Sequence, residues 1–161
     1  MADGEGSTRE ESEKERLDRN LEQLMTELRV AMPGVQILFG FLLSVPFTQR
    51  FGDVTDFQRD VYVVSLAAAG IATAFLIAPT AYHRLTFRRG QKRHLVFTAN
   101  RWTIVGLAAL AVAMDAAVLL VVDFLFDSTL AIIATTALGA MYLGLWFVFP
   151  ILRRLPTRDL G

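Results

Sequence analysis

No cysteine occurs in the 161 residues, which excludes a disulfide framework, a thiolate nucleophile and any cysteine-based metal site. Histidine is almost as scarce. His83 and His94 are the only two; their spacing matches no metal-ligand pattern and neither lies in an apolar stretch, so paired haem ligation inside a membrane is excluded. Charge of one sign is not in excess: 16 Lys and Arg balance 16 Asp and Glu, and a uniformly basic nucleic-acid binder is disfavoured. The chain has no G-x-S-x-G, P-loop, H-E-x-x-H or glycine-rich dinucleotide turn followed by an acidic residue. No base is visible close to Ser44 or Ser65. These absences describe a protein that is not an enzyme, with no cofactor, no metal and no nucleic-acid partner.

Long apolar runs are what the chain has in quantity. Of its residues 53% are hydrophobic and the mean hydropathy is +0.42, above the roughly 45–50% of an ordinary soluble domain. Four stretches carry this excess: 30–47, 61–81, 103–126 and 129–152. Each has the ~20 residues that cross a ~30 Å hydrocarbon core at 1.5 Å rise per residue. None shows the polar stripe that a soluble helix presents every three or four positions. Four buried helices in so short a chain would leave too little amphipathic material to cover them in water. The expected fold is all-α: a four-helix transmembrane bundle (30–152) with a cytoplasmic N-terminal amphipathic helix, in the cell membrane.

The order of segments follows from composition. Residues 1–11 read as a disordered tail and 12–29 as a cytoplasmic or interfacial helix, with Ser12 to Glu15 forming a capping box. Pro33-Gly34 predicts a kink or break where that helix enters the membrane, and Pro46 closes the first span. Residues 153–161 form a second tail. Of the Lys and Arg residues, 14 lie in the termini and the 82–101 connection, leaving only Arg50 and Arg59 for the other side. The positive-inside rule then places both termini in the cytoplasm.

Two surface features invite partners. Leu17, Leu21, Leu24 and Leu28 recur at 4-3-4 spacing on an otherwise charged helix. This stripe is either a docking seam for a membrane-complex partner or a face that folds under the bundle or onto the membrane surface. Acidic neighbours such as Glu10, Glu13, Glu22 and Glu27 favour protein over anionic lipid. In the 83–94 connection, by contrast, Arg84, Arg88, Arg89, Lys92 and Arg93 form a topogenic cluster suited to anionic lipid headgroups, worth ~1 kcal/mol each near the surface.

Within the spans, small residues recur every fourth position: Gly40 and Ser44; Ser65, Ala69 and Thr73; and, as the longest run, Thr136, Ala140 and Gly144. Such spacing lets backbones approach closely and supports a compact bundle or a homo-oligomer. Asp115 is the one acid deep in a span, where an ionised carboxylate costs ~2.5–3.5 kcal/mol on insertion scales. It is either a proton- or cation-handling group, assisted by Gln36 or Thr135/Thr136, or a protonated side chain joining helices. A lone acid with no second membrane carboxylate favours the structural alternative. Asp123, two turns further along, is the other candidate for a cation site, at the external interface.

The blocks at 24–51, 55–62 (TDFQRDVY), 76–90 (LIAPTAYHRLTFRRG) and 98–102 (TANRW) make the chain resemble a family of small actinobacterial membrane proteins of unknown function. Some members carry an automatic sodium:proton antiporter label. The resemblance, over about residues 15–126, implies four spans and an acidic tail; the family has no active-site motif, so it implies no catalytic residue. The reading is an accessory or scaffold subunit of the membrane, with an oligomeric proton or sodium transporter as the alternative. A C-terminal fluorescent-protein fusion should glow and a C-terminal periplasmic phosphatase fusion should be inactive; the reverse pattern would invert the topology.

Overall fold

A computed structural model describes residues 3–86 and 92–154; side chains at 3–14, 17, 18, 20, 21, 83, 86, 92–96 and 154 lie outside that description. Every long element is a helix: α1 (Asp3–Ser44), α2 (Asp56–Thr86), α3 (Lys92–Leu125) and α4 (Ser128–Leu143), the last continuing through a π-helical turn, Gly144–Val148, into the short α5 (Phe149–Arg154). No strand occurs among the described residues. Four helical stretches are long and apolar enough to cross a membrane, 22–47, 56–82, 97–125 and 128–153, as in a multi-pass membrane protein. They coincide in order with the four expected spans and run a few residues beyond most of their ends.

Prolines show how the backbone is kept satisfied. α1 begins at Asp3, ahead of the expected cap at Ser12, and runs unbroken through Pro33-Gly34. The helix therefore does not end at Pro33, which is exposed and removes one backbone hydrogen bond from the ladder. Pro46 does end the helix, giving way to two 3-10 turns, Val45–Phe47 and Gln49–Asp53. Lacking an N–H, Pro46 leaves the carbonyl of Leu42 without its helical donor. The Tyr62 hydroxyl supplies one from α2, 3.0 Å away. Ahead of Pro150 the helix widens, and the Phe149 N–H reaches the carbonyl of Gly144.

The buried positions repeat every seven residues. On α2 they are Gln58, Ser65, Ala72 and Pro79, interleaved with Tyr62, Ala69 and Leu76, with Ala68 the one buried position among the described residues outside the two series; on α1, Leu28, Val35 and Leu42; on α3, Ala99, Gly106, Ala113 and Leu120. A seven-residue period holds one seam toward its neighbours where a 3.6-residue period would drift. α2 is the most enclosed span, with 39% of its apolar window buried against 11% for α1 and α4.

Contacts divide the chain into two compact units, Met1–Phe41 with Ala69–Leu110, and Leu42–Ala68 with Ala111–Gly161. In the first, Leu28 and Val35 of α1 pack with Ala72 and Leu76 of α2, flanked by Leu24, Met32, Leu107 and Leu110. Leu24 and Leu28 thus fold into the chain's own bundle, one of the two alternatives for the leucine stripe; the side chains of Leu17 and Leu21 lie outside the described residues. Gly106 is required here: a Cβ would stand 2.8 Å from Leu76 Cγ and 3.3 Å from its backbone nitrogen. In the second unit, the Ser65 hydroxyl donates to the carbonyl of Ala113 at 2.9 Å, joining α2 to α3.

The expected small-residue seams are met only in part. Ser65 and Ala69 are buried, but Gly40 and Ser44 are exposed, as are Thr136 and Ala140, and Gly144 has open space beside it. α4 packs instead through Ala131, Thr135 and Tyr142, one residue out of step with the expected run. Gly106→Ala should lower unfolding free energy by about 1–3 kcal/mol through overpacking, and Leu76→Ala in the same chain should recover part of it. Unfolding in mixed micelles measures this; strictly additive losses would place Leu76 away from Gly106.

Candidate functional site

Asp115 belongs to the second unit, where its carboxylate lies directly against α4. A Cβ on Gly139 would stand 3.5 Å from its Oδ2 and 3.7 Å from its Oδ1. Oδ1 is buried and has no hydrogen-bond partner. Tyr142 lies one turn beyond Gly139 on α4 and is buried. Its ring also packs on Trp146, with centroids 5.0 Å apart. The expected helpers are elsewhere. The Thr135 hydroxyl donates to its own helix, at 2.7 Å from the carbonyl of Ala131; Thr136 is exposed; and Gln36 is exposed on α1, in the first unit. Asp115 therefore sits in an apolar setting with one unsatisfied acceptor, a feature that costs about 1–3 kcal/mol in a buried site.

Asp123 has the opposite surroundings. Thr55 and Gln58 form a reciprocal capping box at the start of α2: the Gln58 N–H donates to Thr55 Oγ1 at 3.2 Å, and the Thr55 N–H to Gln58 Oε1 at 3.1 Å. The Gln58 amide then donates to Asp123 Oδ2 at 2.9 Å, while the Ser128 hydroxyl donates to Asp123 Oδ1 at 2.7 Å. Asp127 caps α4 by accepting from the Leu130 N–H at 2.9 Å. One carboxylate thus ties the start of α2 to the end of α3 and the start of α4. Both of its oxygens are engaged by neutral donors, so Asp123 acts as a helix-end tie. Eight positions separate it from Asp115, about 12 Å along one helix, so the two acids do not form a pair.

Other expected residues are less informative. Arg84 is exposed, and the side chains of Arg88, Arg89, Lys92 and Arg93 lie outside the described residues. No group of three or more metal-ligating side chains gathers among the described residues. Gln58, Tyr62 and Ser65 were not singled out for these roles by the sequence reading, yet two of them carried a signal. Thr55-x-x-Gln58 ahead of an apolar run is a capping-box pattern, and Pro46 four residues after Leu42 announces a carbonyl in need of a donor.

The sequence model of a family of unknown function, DUF6328, matches residues 10–150. No curated protein and no solved structure matches the chain.

Asp123→Ala removes both hydrogen bonds and strands the Gln58 amide, and should cost about 1–3 kcal/mol of stability. Asp115→Leu, which deletes an unsatisfied acceptor, should cost less or stabilise. Unfolding of both variants in mixed micelles reads the order, and a larger loss for Asp115→Leu would make Asp115 the structural tie.

Proposed function

We propose that this chain, which belongs to the DUF6328 family of unknown function, is an accessory or scaffold subunit of the cytoplasmic membrane, with both termini on the cytoplasmic side. The observation that carries this reading is the use made of polar side chains in the spans. Tyr62, Ser65, Gln58, Asp123 and Thr135 all bond to backbone or to one another, which leaves little to line an aqueous path. Polar groups spent on the backbone and on neighbouring helices hold the helices to one another. Its outward faces remain broad and apolar: Ile37, Phe41, Ile132, Ile133 and Leu145 are well exposed, as lipid or a neighbouring membrane protein requires. On α4 the exposed Thr136 and Ala140 offer the close approach that another helix needs. No catalytic role is assigned.

A second reading, an oligomeric proton or sodium pathway, has one observation in its favour: the unpartnered, buried Oδ1 of Asp115. Among the described residues no second acid lies against Asp115, and secondary transporters usually place their sites between repeats at broken helices, whereas the π-helical turn here, Gly144–Val148, holds no charged side chain.

Two measurements separate the readings. Chemical cross-linking in native membranes should recover a defined complex with the wild type, and Thr136→Leu with Ala140→Leu should reduce it at least severalfold. Purified protein in proteoliposomes should pass no ions under proton or sodium gradients. Flux that Asp115→Asn abolishes would replace the scaffold reading with the transport one.

A further inference from the structure

The connection between α1 and α2 and the last turns of α3 enclose an open cleft of about 190 Å3, walled by Val45, Phe51, Val54, Leu120 and Phe124, with Arg50 as its one charged lining residue. Thr48 also lines it, but its hydroxyl is spent on the carbonyl of Val45 at 2.8 Å. The cleft is smaller than the ~300–1,000 Å3 of a site that encloses a whole small molecule. It suits a segment of a chain whose polar end stays outside. Leu120 is nearly buried and forms the floor, while Val121 and Leu125 at the side are half exposed. α3 is long and apolar enough to cross a membrane up to Leu125, and the half-exposed apolar side formed by Val121 and Leu125 suits acyl chains. The lining from Leu120 to Leu125 covers about 7.5 Å of helix rise.

Arg50 is exposed and has no ion pair among the described residues; the salt bridge nearby joins Arg59 to Asp56 within the first turn of α2. A guanidinium presents a planar fork of donors that fits phosphate oxygens two at a time. An apolar slot open to the bilayer, with an unpaired guanidinium on its lining, is complementary to an amphiphile with a phosphate at the top of its chain. We infer that the cleft binds one phospholipid, an acyl chain lying in the slot and its phosphate on Arg50. The neighbouring Asp53, Asp56 and Asp60 do not line the cleft, and they disfavour net negative charge nearby. Recognition is therefore of the phosphate itself, and zwitterionic phosphatidylcholine serves as well as an anionic phospholipid.

Tryptophan quenching tests this on the full chain. In a background with Trp102→Phe and Trp146→Phe, Phe124→Trp places a reporter in the cleft, and Ile132→Trp, in a separate protein, places one on an exposed face of α4. Each is reconstituted in digalactosyl diacylglycerol vesicles holding a minor fraction of brominated phosphatidylcholine or of brominated galactolipid. The cleft reporter should show about a fivefold preference for the phospholipid, the size of one favourable cation contact at the surface; the α4 reporter should show none. Arg50→Gln should bring the preference to about one. Val121→Phe, which fills the slot with Arg50 intact, should reduce quenching by either lipid. Equal quenching by the two lipids at position 124, a preference that survives Arg50→Gln, or the same preference at position 132 would overturn the proposal. So would a cleft reporter shielded from both lipids by self-association, since a second copy would then be the occupant.

Discussion

A bilayer interior offers a polar backbone group no water and an apolar side chain no reason to prefer protein over lipid. Helices inside it associate only through close packing and through hydrogen bonds that would otherwise go unmade. Helix α2 answers both needs with one seven-residue repeat. Ala69, Ala72 and Leu76 supply the packing surface, into which Gly106 lets α3 settle on Leu76. Tyr62 and Ser65 on the same seam donate to carbonyls of α1 and α3. Gln58 closes the series by capping its own helix and reaching Asp123. Each such bond averages only about 0.6 kcal/mol in a membrane protein, so it is their alignment on one stripe that makes them effective.

This seam changes how the acids are understood. Asp115 and Asp123 lie on one helix and carry the same group, yet their surroundings assign them different work. Asp123 accepts from two side chains and draws three helix ends together. Asp115 lies against a glycine with one oxygen unmatched. Among the described residues that oxygen is the buried side-chain acceptor left without a hydrogen-bond partner, and it is the place where a proton, or a donor from another protein, would change the local energetics most. The apolar cleft beside Arg50 shows the complementary case, a charge left over at the headgroup level rather than an acceptor left over in the core.

The apolar runs made the helix count legible, since they are a property of composition that survives any packing. The seams were harder to read. Thr136, Ala140 and Gly144 look like the best packing run because they are small and evenly spaced, but Ala131, Thr135, Gly139 and Tyr142 lie on the buried side, and an aromatic in that series hides the pattern. Asp123 read as an open acid at an interface because its partners, Gln58 and Ser128, come from different helices, and Gln58 is 65 positions away. In each case the missing information was rotation about a helix axis, which composition alone leaves undetermined when lipid and protein are equally apolar.

The central claim is that rotation: the face of α2 carrying Ser65 is turned toward the face of α3 carrying Ala113. The absence of native cysteine makes it directly measurable by pairwise cysteine substitution and oxidation in membranes. Ser65→Cys with Ala113→Cys should cross-link rapidly within one chain, because the Ser65 hydroxyl lies 2.9 Å from the Ala113 carbonyl. Val64→Cys with Val112→Cys, one position earlier on each helix and exposed on both, should not. Preferential cross-linking of the 64/112 pair would contradict the seam on which the account rests.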